Sequence, residues 1–212
     1  VMDVQGHVYP VADEPLVLHA TFSDGTTLSG EAEITAAHKR IDSIWVTPQD
    51  DSTNDVAKAP SEVINAILNA DVIVLGPGSL FTSVLPNLMV PNVAEALKAT
   101  RAKVVYIANI MTQKGETDDF SDADHLRAIN RHVGDNVVDA VIMNTGVVPE
   151  DYIDWKKWNE VSHQVTFDPE EVRQEGAVPV LGDLLELRDD GAFHNGDIVA
   201  QLIMQIANSP EI

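Results

Sequence analysis

Asp71-Val72-Ile73-Val74-Leu75-Gly76-Pro77-Gly78-Ser79-Leu80-Phe81-Thr82-Ser83 is the stretch whose reading decides the fold. Its first part is a short, nearly continuous apolar run, the pattern of a parallel strand covered on both faces. The run then breaks abruptly into glycine, proline and hydroxyl side chains. The same change happens twice more. Lys103 to Ala108 runs into Asn109-Ile110-Met111-Thr112-Gln113-Lys114-Gly115-Glu116-Thr117, and Val137 to Met143 runs into Asn144-Thr145-Gly146.

Helical stripes lie between these runs. From Ser61, the residues Val63, Ile64, Ile67 and Leu68 share one face, and Asn92 to Thr100 places Val93, Ala96 and Leu97 on one side. Ser121 with Asp124 three residues on is a capping-box arrangement, and the helix it opens has Leu126, Ile129 and Val133 as its core face. Strand–helix alternation from Ser61 to Met143 implies right-handed crossovers. The predicted fold class is therefore α/β: a doubly wound, Rossmann-like, mostly parallel sheet with helices on both faces.

Outward from this core the pattern changes. Leu16 to Phe22 is β-rich, Ser23-Asp24-Gly25-Thr26 is a turn signal, Thr27 to Thr35 reads as a second strand and Arg40 to Thr47 as a third. These make a small N-terminal β meander, followed by a polar loop from Asp50 to Pro60. Pro149 to Glu175 is irregular and carries Tyr152, Trp155, Trp158 and Phe167. Val178 to Leu187 reads as one or two short strands, and Gly196 to Ala207 as a final amphipathic helix. The organisation expected is one α/β domain over 1–212: a β-rich subregion (1–50), the parallel core (61–148) and a C-terminal αβ extension (149–212). The chain opens on Val1 rather than Met, and it is expected to be a C-terminal part of a longer protein.

Composition limits the function. There are 34 acidic residues against 13 basic ones, a formal charge of −21, which disfavours nucleic acid and anionic membrane surfaces as partners. A chain without cysteine has no disulfide, thiolate metal site or cysteine nucleophile. It contains no apolar run of membrane-spanning length and does not open on a signal-peptide pattern, so a cytoplasmic location is expected.

In open parallel sheets, ligands bind beyond the carboxyl ends of the strands. The polar tails are therefore the candidate site. In the first, Gly76 and Gly78 allow close backbone approach, Pro77 stiffens the turn, and Ser79, Thr82 and Ser83 supply hydroxyls. Successive N–H groups in this loop, up to Leu80 and other than at Pro77, could hold a phosphate, although an ordinary strand-to-helix turn uses the same residue types. The loop is not a Walker A motif, a G-x-G-x-x-G fingerprint or a G-x-S-x-G nucleophile elbow. In the second tail, Asn109, Thr112, Gln113, Glu116 and Thr117, with Met111 among them, suit the edges of a base, a sugar or a phosphate. Asp118, Asp119, Asp122 and Asp124 offer the oxygen ligands that Mg²⁺ prefers, and they equally suit a solvated loop and a helix N-terminus. No catalytic residue and no metal site is assigned from spacing. His125 and His132 are seven apart, and His19 sits within a strand. Trp155 and Trp158 read as packing residues.

At these residues a resemblance enters. The run from Gly76-Pro77-Gly78-Ser79-Leu80-Phe81-Thr82-Ser83 to Leu97, followed by the run from Asn109-Ile110-Met111-Thr112-Gln113-Lys114-Gly115-Glu116-Thr117 to His125, resembles the CofD-like family of 2-phospho-lactate transferases. The opening Gly6-His7-Val8-Tyr9-Pro10 to Glu31 is similar to its gluconeogenesis-factor, cell-shape branch. Members usually carry Tyr at the position of Phe81, and they begin with a strand and a glycine-rich phosphate loop that this chain does not show. What the resemblance implies is binding of a UDP-sugar by a regulatory protein of cell shape and cell-wall synthesis. It implies as the alternative a Mg²⁺-dependent transferase of phosphorus-containing groups. The partner expected is thus a nucleotide-sugar or another phosphorylated small molecule. The N-terminal strands and the Trp-containing stretch offer surfaces for a homo-oligomer.

Overall fold

The structure, a computed structural model, describes residues 6–50, 56–149, 151–153, 162–210 and 212. Trp155 and Trp158 lie outside the described residues.

The N-terminal part is an antiparallel sheet of β1 (Leu16–Phe22), β2 (Thr27–Ser29) and β3 (Ile41–Pro48), with β1 in the middle. Asp24 closes the β1–β2 turn by accepting from the Thr26 N–H at 2.9 Å. The expected second strand ends early. Pairing with β1 stops at Ser29, Gly30 turns the chain at φ 98°, and Glu31–Ala37 forms helix α1. The reason is local: Glu31-Ala32-Glu33-Ile34-Thr35-Ala36-Ala37 is rich in strong helix formers, and the buried Ile34, with Ala37 packed beside it, anchors it in the core.

The rest follows the expected α/β alternation. Helix α2 (Ser61–Leu68) leads to β4 (Val72–Leu75), then to one π-helical turn (Leu80–Val84), α3 (Leu85–Leu88) and α4 (Pro91–Ala99). β5 (Lys103–Ile107), α5 (Asp122–Val133) and β6 (Ala140–Asn144) come next. Then follow α6 (Pro169–Gln174), β7 (Val178–Gly182), the β8 (Leu185–Arg188) and β9 (Gly191–His194) hairpin, and α7 (Gly196–Asn208). β4, β5, β6 and β7 are neighbours in that order, all parallel, with Leu75 opposite Tyr106, Tyr106 opposite Val141 and Val141 opposite Pro179. β6 starts three residues later than its apolar run, and Val137 and Val138 are buried ahead of the ladder.

Alternation along the strands builds two cores, one on each face. Val104, Tyr106, Val141 and Met143 face the larger one, with Leu126, Ile129 and Val133 of α5, Val93 and Leu97 of α4 and Val172 of α6. Val105, Ile107, Ala140 and Ile142 face the smaller one, against Val199 and Ile206 of α7. Each large apolar side chain removed from water in this way contributes about 1.5–3 kcal/mol, so residues 104–107 of β5 and 140–143 of β6, apolar throughout, hold the two layers together.

α5 begins with the predicted capping box: Ser121 accepts from the Asp124 N–H and the Asp124 side chain from the Ser121 N–H. Arg127 on α5 meets Glu171 and Glu175 of the α6 segment at 2.9 Å each, fixing the two helices side by side. Residues 162–168 run beside the second polar tail: Val165 donates to the Ile110 carbonyl and Thr112 to that of His163. No helix among the described residues is long and apolar enough to cross a membrane.

Candidate ligand-binding site

A cavity of about 330 Å³ opens at the carboxyl ends of β4 and β5. Pro77, Gly78 and Ser79 form one wall, and Asn109, Ile110, Met111 and Gln113 form the second. Ala192 and His194 of β9 close the third. The backbone dictates the first wall. Gly76 sits at φ 82°, where a Cβ would meet the Ile107 carbonyl oxygen at 3.3 Å, so glycine lets the loop leave β4 against the end of β5. The Gly76–Pro77 peptide is cis.

Beyond the glycines the carbonyl of Ser79 accepts from both Ser83 and Val84 at 2.9 Å, which starts the π-helical turn. Leu80 and Phe81 then anchor the turn in the core, with 0% and 2% exposure. Phe81 packs edge-on against Phe120 and His132, so its ring belongs to the core and not to the cavity wall.

The residues expected at the site divide into two groups. Pro77, Gly78, Ser79, Asn109, Met111 and Gln113 line the cavity, whereas Gly76, Leu80, Thr82, Ser83, Thr112, Glu116 and Thr117 support or flank it. Thr112 is buried and its hydroxyl accepts from the His163 N–H at 2.9 Å. Thr117 is buried and its hydroxyl accepts from the Gln113 N–H at 2.8 Å. Glu116, also buried, receives the Ser79 hydroxyl at 3.0 Å. Ser83 is exposed at the outer edge of the loop.

The third tail turns inward on itself. The Asn144 side chain accepts from Gly146 and Leu184 and donates to the Gly146 carbonyl, which occupies its amide locally. The wall in its place comes from β9. His194 donates its Nε2–H to the Ala108 carbonyl at 3.0 Å, because a carbonyl only accepts. Burial pulls its pKa below the ordinary value, so the ring is neutral at pH 7 and its Nδ1 carries a lone pair. A neutral acceptor beside a row of amides suits a sugar hydroxyl or a base N–H.

The other sequence candidates have internal roles. Asp118 accepts from the Gly115 N–H at 2.9 Å. Asp124 serves the capping box and pairs with Arg127. Asp122 is buried. These carboxylates do not converge, and among the described residues no three His, Asp or Glu side chains are grouped to hold a metal ion. His125 and His132 each bond a carbonyl one turn back in α5. His19 bonds Ser29 and Thr47 and stacks on Trp45 at 5.1 Å.

A gluconeogenesis factor of Listeria innocua is 38% identical over 96% of this chain and 60% of its own length. A Lactococcus lactis protein provisionally named a gluconeogenesis factor is 46% identical over 98% of this chain and 63% of its own. The chain thus spans less than two thirds of these relatives. A crystal structure of a Bacillus halodurans protein superposes with a TM-score of 0.86 at 38% identity, covering 95% of this chain and 63% of that one. The family model described as 2-phospho-L-lactate transferase CofD matches residues 1–185, and the chain belongs to that family.

Proposed function

We propose that this chain is the ligand-binding part of a cytoplasmic regulatory protein of the gluconeogenesis-factor kind, acting in cell shape and cell-wall synthesis. Its cavity between Gly78 and His194 would take a nucleotide-sugar. The observation that carries this reading is the meeting of the glycine-rich loop, the Asn109–Gln113 tail and His194 around one opening at the carboxyl ends of parallel strands. The volume lies at the lower end of the roughly 300–1,000 Å³ of small-molecule sites. Loop N–H groups attract phosphate at short range, where the diffuse charge of −21 is screened by salt. Asn109, Gln113 and His194 would orient the sugar or base. That these relatives are named gluconeogenesis factors supports placing this chain in that branch.

A second reading, Mg²⁺-dependent transfer of a phosphorus-containing group, is favoured by the transferase description of the family model. Such transfer needs positioning and charge neutralisation more than a nucleophile.

Titration calorimetry of UDP-N-acetylglucosamine into the protein and into Gly78→Val separates the two. A Cβ at Gly78 already meets the Ser83 Cβ at 3.4 Å, so valine methyls crowd the loop. Saturable binding by wild type that the substitution abolishes is the expected result. No saturable heat with wild type overturns the nucleotide-sugar reading and turns the search to lactyl-phosphate nucleotides with Mg²⁺.

A further inference from the structure

Glu116 is 2% exposed, yet three side-chain donors reach its carboxylate. The Ser79 hydroxyl donates to Oε2 at 3.0 Å, while Thr35 Oγ1 at 3.2 Å and Gln113 Nε2 at 3.1 Å donate to Oε1. Ser79 Oγ also lies 2.6 Å from Thr82 Oγ1. A hydroxyl has one proton and an ionised carboxylate only accepts. Since the Ser79 proton goes to Glu116, the proton between Ser79 and Thr82 belongs to Thr82. The chain is therefore ordered: Thr82 donates to Ser79, and Ser79 donates to Glu116.

We infer that Glu116 is the positioning residue of the glycine-rich loop, and that through Thr35 it ties this loop to α1 of the N-terminal sheet; the inference rests on the loop being the ligand site. Two consequences follow for the ligand. With its proton committed inward, Ser79 offers lone pairs to the cavity, so contact with an anion falls on the loop N–H groups and on the second amide proton of Gln113. Secondly, the N-terminal sheet becomes part of the site's support without lining it. Gly115 makes this possible, because a Cβ there would lie 2.3 Å from the carbonyl carbon of His38, the residue that ends α1. Charge-assisted hydrogen bonds of this kind are the stronger ones, and losing one buried member leaves its partners unmatched.

The test is a double-mutant cycle of Glu116→Gln and Ser79→Ala, read by calorimetric affinity for UDP-N-acetylglucosamine and by hydrogen exchange of the loop amides in ligand-free protein. Either single change is expected to weaken binding about tenfold, and the second change on top of the first to add little, because both act through one bond. Thr35→Val, remote from the cavity, should weaken binding in the same sense and quicken exchange of the amides between Gly78 and Val84. Effects that simply add, or Glu116→Gln protein that is folded and binds as wild type does, overturn the inference while leaving the nucleotide-sugar reading intact. If wild type binds nothing, that reading falls, and exchange alone decides: faster loop exchange in Thr35→Val and Glu116→Gln supports the positioning role, and unchanged exchange refutes it. Should Glu116→Gln fail to fold, Thr35→Val and Ser79→Ala carry the same comparison.

Discussion

The backbone N–H of Ile44 donates to Nε2 of His132 at 3.2 Å, joining β3 of the antiparallel sheet to the last turn of α5. The other ring nitrogen donates to the Ala128 carbonyl at 2.7 Å, so the ring is neutral and both nitrogens are used.

Protonating Nε2 would remove the acceptor from Ile44. Burial holds the His132 pKa below its ordinary value; the Ala128 carbonyl and Asp42 oppose the shift and the adjacent Arg131 adds to it. His125 and His194 are lowered as well, again mainly by burial. The unfolded chain therefore takes protons first as pH drops, and stability falls below about pH 6.5. Urea midpoints at pH 7 and pH 5 are expected to show this fall, and His132→Gln should show a smaller one. Parallel pH profiles for the two proteins would remove His132 from the account.

The parallel core is legible in the sequence because a strand buried on both faces needs apolar side chains at every position. Val104-Val105-Tyr106-Ile107 carries that signal whichever way each residue points. α1 is less legible, since Thr27 to Thr35 follows a hairpin turn and only the shortness of the β2 pairing reveals that the chain leaves the sheet at Gly30. Two further elements do carry local signals. Asp168-Pro169-Glu170-Glu171 marks a helix start, and Asp168 does cap α6 by accepting from the Glu171 N–H. Asp189 and Asp190, at φ 51° and 59°, precede Gly191 and make the turn that adds β9 to the stretch read as ending at Leu187.

Of the site, the glycine-rich loop and the Asn109–Gln113 tail are readable because they directly follow recognisable strands. His194 is not, because it reaches the cavity only through the β8–β9 hairpin. Glu116 reads as one more polar residue of a loop, and its burial depends on the approach of Gly115 to His38, which no local pattern encodes. The third tail carries the same residue types as the other two, yet its Asn144 amide is used within its own turn.

Asp122 should tilt the pH profile the other way. Burial pushes its carboxyl from the ordinary 3.8 up to about 7, the neighbouring Asp168 carboxylate adds to the shift, and the Asp168 N–H partly offsets it. With the folded value above the unfolded one, the folded state holds a proton between roughly pH 4 and 7 that the unfolded chain has lost. Its contribution is therefore greatest below the unfolded pKa and is lost as pH rises towards 7. Asp122→Asn keeps an oxygen acceptor without the charge. The variant is expected to gain on wild type by on the order of 2–4 kcal/mol at pH 8, with the gap closing near pH 4. Urea unfolding at both pH values measures it, and a gap that does not change with pH would contradict the burial of a charged Asp122.

Gly115→Ala tests the contact that brings α1 to the loop. Gly115 has φ 84°, and its Cβ would lie 2.3 Å from the carbonyl carbon and 2.5 Å from the Cα of His38, both backbone atoms that cannot swing aside. Gly134 at the end of α5 has a similar φ of 79° but open space around its Cβ. Gly134→Ala therefore pays only the left-handed backbone cost, about 1 kcal/mol, whereas Gly115→Ala should lose about 3 kcal/mol or more by adding the clash. Chemical unfolding of both variants separates the two terms. The Gly115 variant should also exchange its loop amides faster, because moving this tail away from α1 lengthens the Thr35–Glu116 bond. Equal losses for the two substitutions would mean that backbone conformation alone, and not the packing on His38, requires glycine at position 115.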